Sequence, residues 1–166
     1  MGLPRLADLQ TLFNSDETAI RAWLCRELGC APAGPEPAPL AAVHGAVIQD
    51  AFHFPVTLTG PAGAQEPTLV LDTGAFELLL AGQVAEALGL PNLGALEVAG
   101  VGGDSAAYQS EVHVSIGGHP FGTAHCVVDP HFQLGAGLFG LRFFLTRRIS
   151  LTLDPVQAQL TLRPAS

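Results

Sequence analysis

From Val43 onward the apolar residues fall at every second position, and turn residues interrupt the chain about every ten residues. In "AVIQDAFHFPVTLTG" one face carries Phe52, Phe54, Val56 and Leu58, and the other carries His53, Thr57 and Thr59. A period of two with one apolar face is a half-buried strand. "GPAGAQEP" reads as a loop and "TLVLD" as a second strand. "FELLLAGQVAEALGL" starts as a strand and turns helical over Gly82 to Leu88, where Gly89 stops it. "LEVAGVGGDSAAYQSEVHVSIGG" is two strands around a Gly-rich turn, and "HPFGTAHCVVD" is the return strand. "GLFGLRFFLTRR" gives a turn and a short helix, and "ISLTLDPVQAQLTL" a closing hairpin around Asp154-Pro155. So many short strands argue for a mostly β domain, closed or sandwiched.

The pattern before Val43 is different. Asn14 and Glu17 fit a capping box, Ile20, Trp23, Leu24 and Leu28 recur at helical spacing, and Gly29 is a stop. "APAGPEPAP" then has too many prolines for a helix and reads as an extended, semi-rigid linker. The expected organisation is a helical extension over 1–30, a Pro/Ala-rich linker over 31–42 and the β domain over 43–166.

A net charge of -8, with seven Arg and no Lys, leaves no basic stripe and argues against nucleic acid or an anionic membrane as partner. The apolar runs fall short of the roughly twenty residues of a membrane span, and the N-terminus lacks a secretory signal, so the chain reads as cytoplasmic. Cys25, Cys30 and Cys126 build neither a disulfide framework nor a complete zinc site and are expected as free thiols. His113, His119, His125 and His131 are six apart, a spacing without metal logic on strands and loops, and are expected at surface or edge positions. No metal or cofactor is called for. Arg147-Arg148 is expected to complement the dipole at a helix C-terminus.

"TLVLDTGAFELLL" sets Asp72 between two apolar runs. A carboxylate placed there is costly unless something stabilises or uses it. Thr73 can hydrogen-bond across a turn and Gly74 lets another backbone come close. One carboxylate can polarise a water but cannot act as both acid and base, whereas two that share a proton can. Asp50, Asp104, Asp129 and Asp154 all lack a following Thr/Ser-Gly. A symmetric homodimer would supply the second carboxylate as another copy of Asp72.

"LVLDTGA" resembles the active-site motif of the retropepsin-like aspartic proteases, single-domain homodimeric relatives of pepsin. "VAGVGGD" stands where their Gly-rich flap would be, "GLFG" (Gly137 to Gly140) resembles the apolar-apolar-Gly element behind the catalytic turn, and "LRFFL" matches the short helix. The resemblance spans about Val43 to Arg163 and implies a closed acid-protease barrel. It implies that Asp72 is the catalytic carboxylate and that Thr73 holds two loops together across the dimer axis. Gly74 would give backbone contact to a peptide or protein substrate, Ala75 would complete the supporting turn, and Gly100, Val101, Gly102 and Gly103 would form the flap tip.

Two positions depart from that family. Phe76 stands where a Ser or Thr usually bonds the catalytic carboxylate, and Arg142 stands where an Asp or Asn usually braces the turn. Two function classes therefore stay open: a homodimeric aspartic endopeptidase, and a catalytically weak or inactive module of the same fold that dimerises or binds peptides.

Overall fold

The computed structural model describes residues 37–100 and 103–165. The expected N-terminal helices with Asn14, Glu17 and Trp23, the thiols Cys25 and Cys30, and Val101 and Gly102 of the flap tip lie outside the described residues.

The described residues form thirteen strands and two short helices. In chain order the strands are β1 (Ala41–His44), β2 (Ala46–Ile48), β3 (Ala51–Pro55), β4 (Thr57–Gly60), β5 (Gly63–Gln65), β6 (Thr68–Leu71) and β7 (Leu78–Ala81). Helix α1 (Gly82–Leu88) follows, then β8 (Gly94–Gly100), β9 (Gly103–Ile116), β10 (His119–Asp129) and β11 (Gly137–Phe139). Helix α2 (Arg142–Thr146) and the hairpin β12 (Ile149–Asp154) and β13 (Gln159–Pro164) complete the chain. Helix α1 has the expected bounds, with Gly89 in the left-handed region at φ 64° as its C-cap. The closing hairpin also sits where expected, its turn held by Asp154 Oδ1 accepting from the N–H groups of Val156 (2.9 Å) and Gln157 (3.0 Å).

Pairing departs from the expected closed barrel. β1, β13 and β12 make a separate three-stranded sheet, and the other ten strands make one sheet. The latter runs β2-β3-β6-β11-β7-β10-β9-β4-β5, with β8 also on β9. No ladder joins the ends of that path among the described residues. The chain passes between the two ends of this path at Pro55-Val56. β3 and β4 are one extended stretch of chain, yet β3 lies second in the order and β4 second from the other end. The sheet therefore curls until its two ends are covalently adjacent. Pro55 has no N–H for a ladder, and Val56 donates to Pro67 O (3.0 Å) instead of to a neighbouring strand. The sheet bends back at this point without closing.

The alternation read in the sequence is the core face. Phe52 is 5% exposed, and Phe54, Val56 and Leu58 are fully buried. Phe54 meets Phe139 of β11 with centroids 5.5 Å apart, and Phe139 meets Phe143 (4.8 Å) and Phe144 (5.2 Å) of α2. This aromatic cluster locks α2 against the strands that carry the Asp72 turn.

Three local readings differ. β5 forms inside the stretch expected to be a loop, because Gly63–Gln65 pairs with β4. β1 starts at Ala41, where the linker was expected to continue, because Ala41 and Ala42 pair with Leu162 and Thr161. β2 and β3 form a hairpin on Gln49 and Asp50, both at positive φ (51° and 61°), without the glycine that usually marks such a turn.

Candidate active site

Asp72 lies between β6 and β7 with its neighbours in a tight turn, and β11 inserts between those two strands. β11 runs parallel to β6, pairing Phe139 with Leu71, and antiparallel to β7, pairing Phe139 with Leu78. The "GLFG" segment thus splits the strands on either side of the turn and fixes both of its ends. The backbone confirms the seam: Asp72 N–H donates to Phe139 O (3.2 Å), Leu141 N–H to Ala75 O (3.0 Å) and Arg142 N–H to Phe76 O (2.8 Å). Gly140 is what permits so close an approach. A Cβ there would stand 2.2 Å from Glu77 O and 2.7 Å from Phe76 C, both backbone atoms that cannot yield.

The Asp72 side chain is held by its own turn. Its Oδ1 accepts from Gly74 N–H (2.8 Å) and Ala75 N–H (3.2 Å). Two backbone donors on one oxygen orient the carboxylate. Both fall on Oδ1 rather than on Oδ2. Asp72 and Ala75 are half-buried, whereas Thr73 and Gly74 are exposed in the single chain. The carboxylate expected to be buried from its apolar context is thus half-buried in the single chain.

The remaining expected residues fall in two places. Gly100 pairs with Gly103 at the end of the β8–β9 ladder. Phe76 is 61% exposed beside the turn. Arg142 opens α2 and donates from Nη1 to Glu77 Oε1, while its Cζ lies 5.5 Å from the Phe76 ring centroid. The two departures thus touch one another. Glu77, which joins them, went unread in the sequence: its partner is 65 residues away, and nothing local marks it.

Arg147, expected from sequence to complement the helix dipole, follows the last turn of α2 as its C-cap and spends its guanidinium elsewhere. It lies over the Phe143 ring (4.1 Å), donates from Nε to Phe121 O (3.2 Å) and from Nη2 to Thr123 O, and so ties α2 to β10. Burial lowers the affinity of its guanidinium for the proton. The histidines sit at the surface or partly exposed: His125 Nδ1 faces Glu111 (3.3 Å), and His113 Nδ1 is 3.1 Å from Thr123 Oγ1.

A carboxylate turn set between two core strands, split by an apolar-apolar-Gly strand and followed by a short helix, defines an aspartic peptidase architecture. Residues 54–143 match the family model described as aspartyl protease, a span of more than half the chain, and the chain belongs to that family. That family is one of hydrolases of the aspartic peptidase type, and the fold of this chain is retropepsin-like. Among solved structures, EIAV protease in complex with the inhibitor HBY-793 shares the fold at a TM-score of 0.50 and 17% identity, covering 64% of this chain and 96% of that one. A retropepsin-like aspartic protease from Rickettsia conorii does so at a TM-score of 0.50 and 18% identity, covering 75% of this chain and 90% of that one. No curated protein matches the chain.

Proposed function

We propose that the protein is an aspartic endopeptidase that works as a homodimer, with the Asp72 carboxylates of two chains paired across a two-fold axis. The observation that carries this reading is the Asp72 turn: a half-buried carboxylate oriented through Oδ1, on the one Asp-Thr/Ser-Gly of the chain. A single carboxylate cannot act as acid and base together, so a second copy completes the chemistry. In the paired site one carboxylate is ionised and takes a proton from a water, whose oxygen attacks the scissile carbonyl carbon. The other, protonated, donates to the carbonyl oxygen. The tetrahedral intermediate then collapses, the C–N bond breaks, and the amine leaves with a proton from the dyad. Thr73, exposed in one chain, links the two turns at the axis. Gly74 and Ala75 support the turn and offer backbone to the peptide. Gly100, Val101, Gly102 and Gly103 form the flap over it.

A non-catalytic dimerisation or peptide-binding module is the second reading, favoured by the exposed Phe76 at a position where a hydroxyl is usual. One experiment separates them. Sedimentation at micromolar concentration should give twice the chain mass, and cleavage of a mixed peptide library should be lost in Asp72→Asn while the dimer persists. Equal cleavage by parent and variant removes Asp72 from the mechanism. A confirmed dimer that cleaves nothing leaves the binding module.

A further inference from the structure

The two residues that depart from the family, Phe76 and Arg142, lie 66 positions apart but form a single contact group with Glu77. Arg142 reaches this segment in three ways. Its backbone N–H bonds Phe76 O (2.8 Å), its guanidinium bonds the Glu77 carboxylate, and its Cζ lies 5.5 Å from the Phe76 ring centroid. Phe76 and Glu77 are the exit of the Asp72 turn, directly after Ala75. Ala75 is itself held at its carbonyl by Leu141 N–H (3.0 Å) and gives its own N–H to Asp72 Oδ1 (3.2 Å). A continuous path of contacts therefore runs from the Arg142 side chain through the turn exit to the carboxylate oxygen.

We propose that Phe76, Glu77 and Arg142 form a clasp that positions the Asp72 carboxylate in place of the missing hydroxyl, so that the two departures compensate for one another. All three are positioning residues, and the inference rests on Asp72 being the reacting carboxylate. The ring is held outward under the guanidinium, so the position that would carry a hydroxyl in the family instead anchors the turn from outside. Orientation of the carboxylate is left to the Gly74 and Ala75 N–H groups, which the clasp keeps in register. The ion pair is partly exposed, 46% for the Arg142 side chain and 30% for that of Glu77, so it contributes little to global stability. Its effect falls on geometry, where a displacement of about an ångström can cost on the order of a hundredfold in rate.

The consequence runs against simple restoration of the family residue. Phe76→Ser removes the ring beneath Arg142, and the turn loosens. The test uses the full chain and one fluorogenic peptide chosen from a mixed library by the parent protein. Arg142→Gln, Glu77→Gln and Phe76→Ser should each lower kcat by about tenfold or more with KM within about threefold. The charge swap Glu77→Arg with Arg142→Glu should recover most of the loss caused by Glu77→Gln. Amide hydrogen exchange at Gly74 and Ala75 should quicken in the single variants while that of Val128 does not, and this readout requires no activity. Unchanged kcat and unchanged exchange in Glu77→Gln, or a Phe76→Ser protein faster than the parent, overturns the clasp. Asp72→Asn is run alongside: cleavage equal to the parent refutes the catalytic reading itself. If the parent cleaves nothing, the exchange rates alone decide the clasp.

Discussion

At the scale of single residues, the site depends on backbone atoms that leave no room. A Cβ on Gly74 would stand 3.2 Å from Asp72 Oδ1, so Gly74→Ala should displace the carboxylate and cut kcat while the protein stays folded by circular dichroism. Gly140→Ala should act on folding instead, because its Cβ would meet the Glu77 carbonyl oxygen at 2.2 Å and part the turn from β11. A loss of about 2–4 kcal/mol is expected, within the range of overpacking and strain, and urea unfolding measures it. Cys126 gives a pH dependence of a single group. It is 3% exposed, and burial first, then the charges of Glu111 and Glu77, push its thiol from 9.0 up to about 12. The folded state keeps the thiol proton to higher pH than the unfolded chain does. The stability this confers is complete below pH 9 and is lost as pH rises from 9 towards 12, with a slope of about 1.4 kcal/mol per unit at most. Urea unfolding across that window should show a shallower decline in Cys126→Ala than in the parent. Equal slopes would mean that the thiol does not set it.

At the scale of elements, β11 is the piece on which the site turns. Three residues long, it separates β6 from β7 and brings Phe139 against Phe54, Phe143 and Phe144. Phe139→Ala should cost about 3–5 kcal/mol, as for other buried aromatics. Because the same strand accepts the Asp72 N–H, that substitution should also disturb the carboxylate turn, whereas an equally buried residue such as Leu160 of β13 should affect stability alone. The elements were legible in the sequence where the pattern was local. The strand face of Phe52 to Leu58, the bounds of α1, and the last hairpin all follow from period, glycine and proline. The β2–β3 turn was not legible, since Gln49 and Asp50 adopt positive φ without glycine. Where the Arg147 guanidinium goes was not legible either, because its acceptors, the Phe121 and Thr123 carbonyls, belong to a distant strand.

At the scale of the whole molecule, residues 37–166 form a unit with its own core. Leu40 N–H bonds Leu162 O (2.8 Å), and β1 edges the three-stranded sheet, so a chain starting at Pro37 should fold with the parent's cooperativity in urea. A chain starting at Gly45 should be destabilised, because it loses β1 and leaves Leu160 and Leu162 partly uncovered. Among the described residues no helix is long and apolar enough to cross a membrane.

The class of fold and the position of the candidate carboxylate are legible along the chain. Both are written in short-range terms: the period of two, the turn residues, and the one Asp-Thr-Gly set between apolar runs with an apolar-apolar-Gly and a short helix downstream. That the sheet curls without closing is settled only in three dimensions, because closure depends on whether its distant edges, β2 and β5, meet. Tertiary structure also decided what Phe76 and Arg142 do. Read singly, each is a lost hydroxyl or a misplaced charge; brought together with Glu77 by the insertion of β11, they are one contact. Side chains so far apart in the chain are joined only when a third strand places their backbones side by side, and no local pattern encodes that distance.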